Sequence, residues 1–112
     1  MNAQKTTREH FGITPKSFEL IVESIAARPE IERVLIFGSR AMGNAKHGSD
    51  IDLALYGEKV TRATAESLSG ELNERAPIPY SVDVVAYREI DHDGLKDHID
   101  TEGREFFRRG PS

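Results

Sequence analysis

The chain has 112 residues, 38% of them hydrophobic and 30% charged, with no cysteine and a formal net charge of −4. That size suits one domain with a real core, and the missing cysteines exclude disulfides, thiolate metal sites and cysteine nucleophiles. The acidic balance argues against direct nucleic-acid binding; no signal-peptide core opens the chain and no apolar run reaches membrane-span length, so a cytoplasmic protein away from membranes is expected.

Residues 1–13 read as a flexible N-terminal arm, residues 14–108 as the single domain, and residues 109–112 as a charged tail. Thr14-Pro15 looks like an N-cap followed by proline at the first helical position. Phe18, Ile21, Val22, Ile25 and Ala26 then share one helix face, and Arg28-Pro29 ends the helix. Val34-Leu35-Ile36-Phe37 is a short continuous apolar run, the mark of a strand buried on both faces. It stops at Gly38-Ser39, from which Ser39–Met42 can form one helical turn closed by Gly43.

Ser49 to Tyr56 alternates as a second strand, with Ile51, Leu53 and Leu55 on one face and Asp50 and Asp52 on the other. Thr61 caps a helix running to about Arg75, with Ala65, Leu68 and Leu72 inward. Tyr80 to Tyr87 is a third strand, showing Val82 and Val84 to one face and Ser81, Asp83 and Val85 to the other. Asp91 to Glu102 reads as a last helix with Gly103 at its cap, after which Phe106 and Phe107 fold back onto the core. The order implies an α/β (α+β) fold: a small mixed sheet flanked by helices.

Three features carry chemistry. Gly38-Ser39, directly after a buried strand, lets a backbone approach a phosphate and adds a hydroxyl. A plain strand-to-helix turn would use the same residues, so this feature decides nothing alone. Asp50 and Asp52, at positions i and i+2, lie on one face about 6.5–7 Å apart. At about 6 Å two carboxylates repel by roughly 0.7 kcal/mol in water and roughly 3 kcal/mol at an effective dielectric of 20. Asp is also a poor strand former, so a strand that accepts this pair suits a cation that relieves it. Asp83 is a lone carboxylate in a β-branched strand; its weight comes from completing a set of three.

Gly38-Ser39, ten residues, then Asp50-Ile51-Asp52 resembles the spacing of DNA polymerase β-like nucleotidyltransferases. Phe37–Gly43, Gly48–Leu53, Pro79–Asp83 and His98–Gly103 resemble the small MntA-like minimal nucleotidyltransferases, over about Pro15 to Phe107. The resemblance implies the palm-like nucleotidyltransferase fold and a transferase that moves a nucleoside monophosphate, AMP from ATP, to a hydroxyl. It implies Asp50, Asp52 and Asp83 as catalytic ligands of two Mg²⁺ ions, and Gly38, Ser39, Arg40 and Ser49 as nucleotide contacts. Its implied partner is a small helical HEPN-type protein, the pair acting as antitoxin and toxin; a homo-oligomer is also open. Many relatives carry a second basic residue where this chain has Met42, which leaves open a non-catalytic module that binds nucleotide and masks its partner. A phosphorylated regulatory domain ranks last, since such domains hold their acids at strand ends.

Among the histidines, His10 and His92 read as surface residues, and His98 as a packing or capping residue beside Leu95 and Ile99. His47, in the loop before the acidic strand, is a weak candidate for nucleotide contact, because loop composition is mostly turn chemistry.

Overall fold

The computed structural model describes residues 10–46 and 48–110. The elements run α1 (Pro15–Ala26), β1 (Arg33–Phe37), α2 (Ser39–Met42), β2 (Ile51–Tyr56), α3 (Arg62–Gly70), β3 (Val82–Ala86), α4 (Asp93–Glu102) and β4 (Arg104–Arg108). They form a four-stranded mixed sheet in the order β3-β2-β1-β4, in which β1 pairs antiparallel with β2 and β4, and β2 pairs parallel with β3. This is the expected α/β class.

Both faces of the sheet are covered, which explains the unbroken apolar run of β1. Val34 and Ile36 join Ile51, Leu53, Leu55, Phe18, Ile21, Ile25, Leu68 and Leu72 in the larger core, under α1 and α3. Leu35 and Phe37 turn the other way and meet Ala54 and Ile99 of α4. The alternation read in β2 and β3 holds, with Val82 and Val84 on the larger core and Val85 packed on the smaller one. No helix among the described residues is long and apolar enough to cross a membrane.

Three elements differ from the sequence reading. The helix capped by Thr61 ends near Arg75 as expected, but its last five residues, Glu71–Arg75, are π-helical. The wider turn, closed by the Ala76 N–H on the Glu71 carbonyl, buries Leu72 and brings Asn73 to the open edge of β3. There the Asn73 amide group donates to the Val82 carbonyl at 2.8 Å and accepts from its N–H at 2.9 Å. One side chain thus satisfies both outward groups at the start of an edge strand.

The second difference is β4, which sequence alternation hides. Its register against β1 shifts between Val34 and Leu35, with Val34 opposite Phe107 and Leu35 opposite Glu105, so Phe106 is the extra residue of a bulge. A bulge lets two successive side chains serve one core, and Phe106 and Phe107 both pack on the larger cluster.

The third concerns the expected arm. Residues 1–9 lie outside the described residues, but residues 10–13 do not behave as an arm. Phe11 and Ile13 are buried in the core, and the His10 ring lies 4.5 Å from that of Phe18. Apolar side chains with aromatic neighbours to meet are worth more folded down than solvated. At the other end, Arg109 is tied to the carbonyls of Glu32 and Ile31 by its N–H and guanidinium.

Candidate active site

The site is built where β1 ends and β2 and β3 begin, side by side. Phe37, the last residue of β1, pairs with Asp52 of β2, and Asp52 pairs with Asp83 of β3. Registered neighbours on adjacent strands share a face and stand about 4.8 Å apart. Asp52 and Asp83 therefore meet on the face that carries Phe37 and α4. Asp52 is half-buried, while Asp83 and Asp50, which immediately precedes β2, are exposed.

Gly38 links β1 to α2 at φ 78° and ψ −158°, a region essentially reserved for glycine. A second constraint fixes it. A Cβ at Gly38 would lie 2.4 Å from Asp52 Oδ2, so the carboxylate rests directly on the glycine backbone. Ser39 opens α2 and is half-buried. The turn closes with Gly43 in the left-handed region and the Asn44 N–H on the Ser39 carbonyl.

Two of the expected nucleotide contacts have other work. Arg40 is 5% exposed, and its guanidinium is turned away from solvent. It donates to the Ser49 carbonyl through Nε at 3.1 Å and Nη2 at 2.8 Å, and to the Phe11 carbonyl through Nη1 at 3.0 Å. It also lies 5.0 Å above the Tyr80 ring. Arg40, expected from the resemblance to contact phosphate, clamps the loop before β2 to residues 10–13, because its fork matches two inward carbonyls left without strand partners. Ser49 is part of that clamp, and its hydroxyl accepts the Lys46 N–H at 2.8 Å. His47 lies outside the described residues.

The structure adds a residue that the sequence reading set aside. His98 projects from α4 so that its Nε2 accepts the Gly38 N–H at 3.1 Å, with its ring edge-on to Phe37. Its spacing was the available signal, since Leu95, His98, Ile99 and Glu102 recur at helical intervals and only a polar contact explains an imidazole on that face. His92 is exposed and caps α4, its Nδ1 accepting the Leu95 N–H at 3.1 Å.

Charge at the site is out of balance. Burial pushes the Asp52 carboxyl above its ordinary range, and Asp83 and then Asp50 push it further. Such a carboxyl holds its proton more tightly folded than unfolded. Its contribution to stability is full below the unfolded pKa and falls as pH rises through the raised folded pKa. In metal-free buffer, Asp52→Asn is therefore expected to melt above wild type at pH 7 and to lose that advantage at about pH 3, where both forms are neutral. An equal difference at both pH values would mean that charge at Asp52 costs nothing.

The donors suit a small hard cation, since carboxylate oxygens are what Mg²⁺ takes. Among the described residues no three acidic, imidazole or thiolate groups form a ready-made metal cage. Mg²⁺ does not require one, because it keeps waters and binds through one or two carboxylates together with substrate phosphates. A separate cavity of about 330 Å³ runs along the open side of β3, lined by Ala65, Val85, Ile90 and Leu95 among others, and none of the three aspartates borders it.

The family model described as "Polymerase beta, Nucleotidyltransferase" matches residues 19–112. The chain belongs to that nucleotidyltransferase family. Solved structures agree on the fold. A Sulfolobus solfataricus protein described as a nucleotidyltransferase is 28% identical, with TM-score 0.54, over 84% of this chain and 79% of that one. A chain of a toxin–antitoxin crystal structure with AMP-PNP is 20% identical, with TM-score 0.63, over 84% and 73%. A chain from the complex of tri-AMPylated Shewanella oneidensis HEPN toxin with MNT antitoxin is 19% identical, with TM-score 0.62, over 84% and 71%. No curated protein sequence matches the chain. The polymerase β-like nucleotidyltransferase expected from the glycine–serine and paired-aspartate spacing is thus the family and fold found.

Proposed function

We propose that this nucleotidyltransferase domain moves AMP from ATP to a hydroxyl of a HEPN-type partner protein in the cytoplasm, acting as the antitoxin of a toxin–antitoxin pair. One observation carries the reading: Asp52 and Asp83 stand in register beside a glycine whose missing side chain leaves room for Asp52. The acceptor and the antitoxin role rest on likeness to the complex of AMPylated HEPN toxin with MNT antitoxin, and the nucleotide on likeness to the structure with AMP-PNP.

In this reading Asp50, Asp52 and Asp83 hold two Mg²⁺ ions. Bound Mg²⁺ supplies positive charge against the transferring phosphate and lowers the pKa of an attacking hydroxyl. The chain's own groups do the rest. Ser39 offers its hydroxyl and backbone N–H to the triphosphate, and Gly38, whose own N–H is held by His98, lets the triphosphate approach the backbone closely. Asp83, exposed on the edge strand, faces the acceptor and takes the proton of its hydroxyl. The acceptor oxygen forms its bond to the α-phosphorus as the bond to pyrophosphate breaks. Burial first, and then the neighbouring carboxylates, raise the proton affinity of Asp52, a cost that a bound cation would relieve.

A second reading, a module that binds nucleotide but works by masking its partner, is favoured by the α2 turn. Its arginine is spent on two carbonyls, and Met42, where many relatives carry a basic residue, is 49% exposed. Incubation with α-labelled or γ-labelled ATP, Mg²⁺ and the co-purified partner separates the readings. Label from the α-phosphate on the partner is the expected result. ATP binding without transfer means the masking module, and γ-label transfer means a kinase and a wrong reaction class.

A further inference from the structure

The contact between α4 and the β1–α2 turn deepens the reading above and rests on it. Gly38 is held by three conditions at once: a glycine-only backbone conformation, the Asp52 carboxylate against its Cα, and a hydrogen bond to the His98 imidazole. The first two are properties of the turn and of β2. Only the third comes from a distant element, sixty positions along the chain. Gly38 N–H donates, so His98 Nε2 carries no proton and the ring is the neutral tautomer with its proton on Nδ1.

The ring is also fixed from outside the bond. His98 stands edge-on to Phe37, with ring centroids 6.1 Å apart, and Ile99 beside it is completely buried. The imidazole is therefore a rigid acceptor on a packed helix rather than a swinging surface group.

We propose that His98 is a positioning residue for nucleotide transfer: by holding the Gly38 N–H it sets the peptide that turns β1 into α2, and so the approach of that turn to Asp52. Removing the acceptor frees a glycine peptide that can take other dihedral angles, and any such change moves Ser39. The consequence falls on nucleotide engagement before it falls on the chemical step, because the turn carries the proposed triphosphate contacts Gly38 and Ser39, while Asp83 stands on β3.

The test compares His98→Ala and His98→Gln with wild type in the full chain, first without nucleotide and then in the α-labelled ATP assay with the partner. The Gly38 amide, followed by hydrogen exchange in NMR, should be protected in wild type. It should exchange on the order of tenfold faster in the Ala variant, and recover part of its protection in Gln, whose side-chain oxygen restores an acceptor. The KM for Mg·ATP should rise about tenfold in the Ala variant with a smaller change in kcat, and Gln should recover part of the loss. Unchanged Gly38 exchange in the Ala variant overturns the proposal. Faster exchange with unchanged KM overturns it too, reducing the bond to a structural tie. If the Ala variant fails to fold, Gln alone decides, since a positioning role demands that it keep Gly38 protection and a lowered but measurable transfer. Wild type that transfers nothing overturns the transferase reading and the catalytic part of this proposal, while exchange at Gly38 still reports whether His98 holds the turn.

Discussion

Asp83→Asn should cut transfer of α-label to the partner by on the order of 10²–10⁴-fold, the range expected for loss of a positioned base. Asn keeps the shape of the side chain and removes only its charge and basicity. Asp83 is exposed on the edge strand, so the change should move folding stability by no more than about 0.5 kcal/mol. Asp52→Asn should lose transfer as severely, for a different reason: it removes the half-buried carboxylate that lies against Gly38 and beside Asp83. The two variants should differ in metal-free melts, where Asp52→Asn gains stability and Asp83→Asn gains less, because burial adds to repulsion only at Asp52. Transfer rates within threefold of wild type in either variant would remove that aspartate from the chemistry.

Arg40→Met should destabilise the nucleotide-free protein by roughly 3–5 kcal/mol, from three charge-assisted hydrogen bonds and two carbonyls left without donors. Phe11 and Ser49 supply those carbonyls, and the Phe11 one is buried. Arg40→Lys should recover little of the loss, since one ammonium cannot reproduce a fork that spans two carbonyls. Urea melts of the two variants measure this directly. An arginine whose task was a phosphate would behave otherwise, leaving the nucleotide-free protein within about 0.5 kcal/mol of wild type and changing only nucleotide affinity.

The parts of the fold that were legible are those in which one local rule decides. The alternation of Ile51, Leu53 and Leu55 against Asp52 placed β2 and assigned its faces, because a strand with a buried side admits only one register. The paired and lone aspartates stood out because they contradict strand propensity, and such contradictions gather where a ligand makes up the cost. The parts that stayed hidden depend on contacts between distant segments. β4 escaped because its bulge sets Phe106 and Phe107 on one core, which breaks the period of two. Residues 10–13 looked like an arm because two apolar residues among polar ones have no period, and contacts with Phe18, Phe106 and Arg40 give them a place. The contacts of Arg40 and His98 stayed hidden for the same reason. Sequence spacing placed Arg40 near the phosphate turn, but the direction of its side chain was set by two carbonyls elsewhere. His98 looked like packing until the register of α4 against β1 put it on Gly38.

The measurement that bears most directly on the site is a crystal structure of the protein with Mg²⁺ and a non-hydrolysable ATP analogue. The account predicts Mg²⁺ between the analogue's phosphates and the carboxylates of Asp52 and Asp83, the triphosphate against Gly38 and Ser39, and Arg40 still bound to the Phe11 and Ser49 carbonyls. Phosphates lodged elsewhere, for instance in the cavity along β3, with Asp52 and Asp83 bare of metal, would contradict it.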